Sequence, residues 1–268
     1  MTIKTRNIFF LSLFALSSAT LLIATAFLFY SIHEKLLSPP SVFPIFHGLH
    51  FLMTAYSFPA TLALIFFLLA FVTVTIIYLY IEFEKTQSTE IIFFALFLFG
   101  LLGESVRLMI PFFNLWGTLS SALFIVGRIT LFSRILAPAS LLFVAVMNEA
   151  NQRENIESNF FMLIILSLWL SFLIPLNTPY LLPNFCVEWG MRKAFYIIRL
   201  LVLVTAIFSI FILANQSGKG EWGFALLICG YKFASSAMTI LSAIIAGFLL
   251  AFGTSLYLTT LHKRYLWQ

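Results

Sequence analysis

Aspartate is absent from this chain: all ten acidic residues are glutamate, at positions 34, 82, 84, 90, 104, 149, 154, 157, 188 and 221. Chemistry built on aspartate is thereby excluded, including a Walker B metal ligand, an aspartyl dyad and a kinase-type catalytic aspartate. Charge of either sign is scarce, at 9% of residues, against roughly 25% in ordinary domains. Cysteine is limited to Cys186 and Cys229, which lie far apart without metal-ligand spacing. Neither a Gly-x-Ser-x-Gly nucleophile elbow nor a Walker A loop occurs. What fills the chain is apolar: 62% of its 268 residues are hydrophobic and 33 are Phe. A soluble core of this size cannot hide that much apolar side chain, because a large wetted surface always remains. Disorder, a disulfide scaffold and nucleic-acid binding are excluded on the same ground, and the solvent must be mostly lipid.

About 20 apolar residues carry a helix across roughly 30 Å of hydrocarbon. Seven runs of sufficient length occur, at 8–30, 56–81, 91–113, 119–147, 160–176, 194–214 and 223–260. The expected fold is all-α, a polytopic membrane helix bundle forming one domain over 1–268, with six or eight spans as alternatives. Lys4, Arg6 and Ala24-Thr25-Ala26 give the first run some features of a signal peptide. Its 23 residues exceed the roughly 7–15 of a signal core, so it is read as a retained helix. Two runs are over-long, with 29 residues at 119–147 and 38 at 223–260. Pro138 is the expected kink in the former and Ser235-Ser236 the weak point in the latter. The latter is expected to remain one span, because two crossings of 19 residues would leave none for a turn.

Seven crossings put the polar loops 82–90, 148–159 and 215–221 on one side. The proline-bearing segments 31–55 and 177–193, expected to be irregular, fall on the other with the turn at 114–117 and the C-terminal tail. Lys4, Arg6, Lys85, Arg153 and Lys219 then face Lys35, Arg192, Lys193, Lys263 and Arg264, a tie of five against five. Only the usual dominance of the first helix favours an N-terminus inside. Tyr and Trp residues near the run boundaries, Trp189 among them, suit the headgroup layer, and Trp169 stands mid-run.

Charge inside the runs is the most informative feature. Glu104, Arg107, Arg128, Arg134, Arg199 and Lys232 all lie there, and an ionisable group at the bilayer centre costs about 2.5–3.5 kcal/mol on insertion scales. Glu104 and Arg107 are three residues apart, hence on one helix face and able to pair. Arg128 and Arg134, six apart, point about 120° away from each other. Arg199 is close enough to the start of its run to snorkel toward Arg192 and Lys193. Five basic residues against one acid call for an anionic partner, and arginine suits phosphate or carboxylate through paired hydrogen bonds.

Histidine forms a second group. Seven crossings place His33, His47, His50 and His262 on one side, and His47 and His50 share a face if their segment is helical, as metal ligation requires. Glu34, Glu188 and Cys186 are within the same set of segments.

The function expected from these residues is a non-enzymatic sensing or binding module, with a basic intramembrane cavity for an anionic ligand or lipid headgroup. Its partners are membrane lipids and, because the polar loops are short, a separate signalling or transport protein. A transporter, or a membrane subunit of one, is the second reading. A membrane-embedded metal enzyme using the histidines is the third. No cofactor follows from the sequence.

Overall fold

The computed structural model describes residues 2–37, 55–84, 88–116, 120–146, 156–213 and 220–266. Eight helices occur there: α1 (Ile3–His33), α2 (Phe58–Phe83), α3 (Thr89–Phe112), α4 (Ser121–Val146), α5 (Ile156–Leu173), α6 (Arg192–Leu213), α7 (Gly220–Ser236) and α8 (Ile240–Leu266). All but α7, which has 17 residues, are long and apolar enough to cross a membrane. The chain is an all-α, multi-pass integral membrane bundle.

Burial sorts the helices. α3 is the most enclosed of the candidate spans, whereas α1, α5 and α6 turn most of their side chains outward. Leu22, Phe161, Ile165, Ile198 and Leu201 are exposed, as lipid-facing positions must be when the solvent is hydrocarbon. α4 crosses α3 closely at two glycines. A Cβ on Gly103 would stand 2.1 Å from Ser133 Oγ, and one on Gly100 would stand 3.0 Å from Ala137 Cβ. Pro138 lies inside α4 without ending it.

The final run departs from expectation. It is two helices, α7 and α8, that meet at Ala237–Thr239 and pack side by side in antiparallel fashion. Backbones touch along this hairpin: a Cβ on Gly223, Gly230 or Gly253 would come within 2.6 Å of the backbone nitrogen of Tyr257, Leu250 or Leu227 respectively. Close approach of this kind is how helices associate where no hydrophobic force distinguishes protein from lipid. The break falls just after Ser235-Ser236, and room for a turn exists because the helices run on to Gly220 and Leu266, beyond the apolar limits. Thr239 and Ser242 start α8 reciprocally, each backbone N–H donating to the other's hydroxyl at 3.1 Å, a variant of the capping box.

This hairpin moves the C-terminus to the other end of the bundle. At the end holding the N-terminus, Arg6 Nη2 donates to the carbonyls of Phe83 and Glu84 at 2.7 and 2.8 Å, and His262 Nδ1 lies 3.3 Å from Glu82 Oε2. At the opposite end, the Ser57 N–H donates to the Met238 carbonyl at 2.9 Å, beside the turn between α7 and α8.

The segment expected to be irregular between α5 and α6 folds as an antiparallel pair, β1 (Leu176–Leu182) and β2 (Cys186–Trp189). Leu176 stands opposite Trp189 and Leu182 opposite Cys186, with an irregularity between Asn177 and Leu181. Its tip turns inward. Phe185 adopts φ 58°, costly for a bulky side chain, and is held there between the rings of Phe58 and Trp116 at 5.3 and 5.6 Å. Asn184, Phe185 and Cys186 are all buried, consistent with non-helical backbone being tolerated at membrane depth only inside protein.

Candidate functional site

α3 loses its regular hydrogen bonding just where its charges occur. Residues Ser105–Leu108 form a single 3-10 turn, and Pro111, four residues after Arg107, has no N–H to offer the Arg107 carbonyl. The Glu104 carbonyl, at the start of this turn, accepts from Arg107 Nε at 3.0 Å. Arg107 thereby folds back along its own helix, and its Nη2 reaches Glu104 Oε2 at 3.2 Å. The pairing expected from the three-residue spacing is present.

Arg134 reaches the same carboxylate from α4, with Nε 3.6 Å from Glu104 Oε2. The Gly103–Ser133 crossing brings the two helices close enough for this contact. Arg134 Nη2 also donates to the Ser235 carbonyl at the end of α7, at 2.7 Å, and its guanidinium lies 5.2 Å from the Trp189 ring centroid. The β-hairpin tip completes the enclosure. Asn184 accepts from Arg107 Nη1 through its carbonyl at 3.2 Å and donates through Nδ2 to the Ser235 carbonyl at 3.3 Å. Cys186 Sγ stands 3.7 Å from Arg107 Nη1.

Arg199 enters from α6. It is 7% exposed and does not snorkel toward Arg192, which is itself engaged with Glu188 at 3.4 Å. The inward face of α6 is Arg199, Leu203, Ala206 and Ile210, a helical repeat that turns the guanidinium into the bundle. It lies 4.9 Å from the Tyr231 ring centroid. Its Nε and Nη2 make no well-aligned hydrogen bond, although the Tyr231 hydroxyl is close enough to interact with the guanidinium, and Glu104 Oε1, Trp189 Nε1 and Asn184 Oδ1 are likewise without a well-aligned partner. Three buried guanidiniums thus surround one buried carboxylate. Nε and Nη2 form the side-on edge of a guanidinium, the edge that grips two oxygens of a carboxylate or phosphate at once.

The other candidates lie elsewhere. Arg128 closes the C-terminal end of α5: its Nη1 donates to the Ser171 carbonyl and to those of Phe172 and Ile174 at 3.2 and 2.7 Å. Its guanidinium lies 4.8 Å from the Phe124 ring centroid. Arg128 and Arg134 diverge, as their six-residue spacing requires. Lys232, half-buried, holds Nζ 3.7 Å from the Tyr196 ring centroid at the outer edge of the α6–α7 seam.

Among the described residues, the histidines stand apart. His262 stands at the N-terminal end with Glu82, whereas His33 is exposed at the far end beside Glu34, at 3.3 Å. The α7–α8 hairpin, which adds a reversal, is the reason. His47 and His50 lie outside the described residues. Among the described residues, no three His, Cys, Asp or Glu side chains gather as metal ligands would.

Sequence reasoning missed Asn184, Cys186, Trp189, Tyr231 and Ser235. Trp189, expected at the headgroup layer, is buried over Arg134, while Trp169 is exposed on the lipid face of α5. The Thr239-x-x-Ser242 spacing was a signal for the helix start that brings Ser235 into place. No family model matches the chain, and neither a characterised protein nor a solved structure is detectably similar to it.

Proposed function

We propose that this multi-pass membrane protein is a non-enzymatic binding module whose intramembrane arginine cluster takes an anionic ligand or lipid headgroup. One observation carries the reading: the side-on edge of Arg199 is buried, makes no well-aligned hydrogen bond within the protein, and belongs to a cluster with two more guanidiniums than carboxylates. Isolated buried charge is costly, and a phosphate or carboxylate offsets that cost while satisfying both N–H groups. Arg107 and Arg134 are already engaged with backbone carbonyls and Glu104, and they supply positive field behind the vacant edge.

An output is built into the same contacts. Ser235, the last residue of α7, accepts from both Arg134 and Asn184, so an anion that draws Arg134 away loosens the α7–α8 break. A separate membrane partner would read that change, since a ligand shifts a conformational equilibrium only through contacts that differ between its states. Transport is the weaker alternative, because an aromatic column fills the core between the ends. Tyr257, Phe94, Phe97 and Tyr231 follow one another with centroids 5.8, 5.7 and 5.6 Å apart.

The orientation we propose is N-terminus inside. With the end of α8 at the N-terminal end, Lys4, Arg6, Lys263 and Arg264 among the described residues oppose Lys35, Arg192 and Lys193. Four against three replaces the tie, and basic flanking residues favour the cytoplasmic side. Native mass spectrometry of protein purified in mild detergent tests the function. A stoichiometric anion that disappears on Arg199→Gln supports it, and a wild-type protein that neither retains nor takes up any anion refutes it.

A further inference from the structure

We infer that the anion is the phosphate of an anionic lipid, admitted sideways between α6 and α7, with Lys232 as its outer contact and Arg199 as its inner one. This rests on the anion-site reading above and adds the ligand class and the route. Tyr231 and Lys232 are consecutive on α7, while Tyr196 and Arg199 are one turn apart on α6. Each cation lies against a ring of the opposite helix: Arg199 over Tyr231, and Lys232 over Tyr196 at 3.7 Å. The seam therefore holds two cations at successive depths. Among the described residues, neither has a carboxylate within ion-pair distance.

The surroundings select the route. From the aqueous end, the β-hairpin tip closes the bundle with Phe185 wedged between Phe58 and Trp116. From the bilayer, Lys232 is only half-buried and Tyr196 is 52% exposed, so the outer cation of the seam is reached without unfolding anything. Ile197, Ile198, Leu200 and Leu201 flank this position, all exposed on the lipid face of α6. They offer acyl chains an apolar surface directly beside the two cations. A phosphodiester has two non-bridging oxygens, matching the side-on edge of Arg199 and the ammonium of Lys232. Basic recesses between transmembrane helices are recognised sites for such headgroups.

Binding of phosphatidylglycerol, phosphatidylcholine and inorganic phosphate to the full chain in mild detergent, followed by native mass spectrometry, separates the possibilities. Saturable phosphatidylglycerol binding is expected, weakened about tenfold by Lys232→Gln and about a hundredfold by Arg199→Gln, as loss of charge-assisted hydrogen bonds implies. Arg199→Lys should restore part of the affinity, and unchanged thermal unfolding of Lys232→Gln would show that its loss is not misfolding. Inorganic phosphate binding with full affinity, unaffected by Lys232→Gln, would overturn the lipid route and leave the anion site standing. Equal binding of phosphatidylcholine and phosphatidylglycerol would overturn the requirement for an anionic lipid. Undiminished binding of every anion by Arg199→Gln would overturn both readings.

Discussion

Arg128 and Arg199 are both intramembrane arginines on helices that border lipid, yet their surroundings differ. The Nη1 of Arg128 reaches three carbonyls at the end of α5, where helix C-termini leave acceptors unmatched. Its Nε has no acceptor, but the charge lies between carbonyl oxygens and the rings of Phe124 and Phe172. Arg6 does the same for the end of α2. Arg199 meets one ring and no carbonyl through Nε or Nη2, and shares its neighbourhood with two further guanidiniums and a single carboxylate. One arrangement holds helices together. The other, on the function proposed above, leaves positive charge for an anion to meet.

Breaking the cluster at its only acid should have the largest effect. Glu104→Gln leaves Arg107 and Arg134 without their carboxylate and should cost about 3–5 kcal/mol, the scale for uncovering a buried ion-pair partner. Thermal unfolding in detergent measures this. The double variant Glu104→Gln, Arg134→Gln should recover part of the loss, because it removes the uncovered charge as well. Next comes the hairpin that positions Ser235. Gly253→Ala places a methyl against the Leu227 nitrogen, 2.4 Å from an unrelaxed Cβ, and should cost about 1–3 kcal/mol through overpacking. The sharpest sign would be a coupled fall in anion affinity, since the Arg134–Ser235 contact depends on the same packing.

Arg128→Gln should lower stability by about 1–3 kcal/mol, the range for hydrogen bonds to a charged group, while anion binding stays as in the wild type. Arg199→Gln reverses the pattern. It removes a buried cation whose side-on edge makes no well-aligned hydrogen bond, and relief of that burial cost offsets the lost contact with the Tyr231 ring, so stability of the ligand-free protein should change little.

Composition and run length made the bundle legible, and three-residue spacing made the Glu104–Arg107 pair legible, because both depend on local periodicity alone. The convergence of Arg134 and Arg199 on that pair was not, since it depends on which helices become neighbours. The α7–α8 hairpin was hidden because apolar residues continue through the break at Ala237 and Met238, so hydropathy shows one run. Only Ser235-Ser236 and the Thr239–Ser242 cap interrupt it in chemical terms. Trp189 and Asn184 were hidden for another reason: a proline-bearing connector reads as an exposed loop, whereas here its tip folds inward to meet Arg107 and Arg134. His262 parts from His33 because one unseen reversal, between α7 and α8, transfers it to the opposite end.

On the proposed function, Arg199 binds whereas Arg128 braces. Measuring anion binding and thermal stability of Arg128→Gln and Arg199→Gln side by side, with phosphatidylglycerol as the probe, tests it most directly. Arg199→Gln should lose the lipid and keep its stability, while Arg128→Gln should keep the lipid and lose stability. Retention of the lipid by a folded Arg199→Gln protein, or equal loss of binding in both variants, would contradict it.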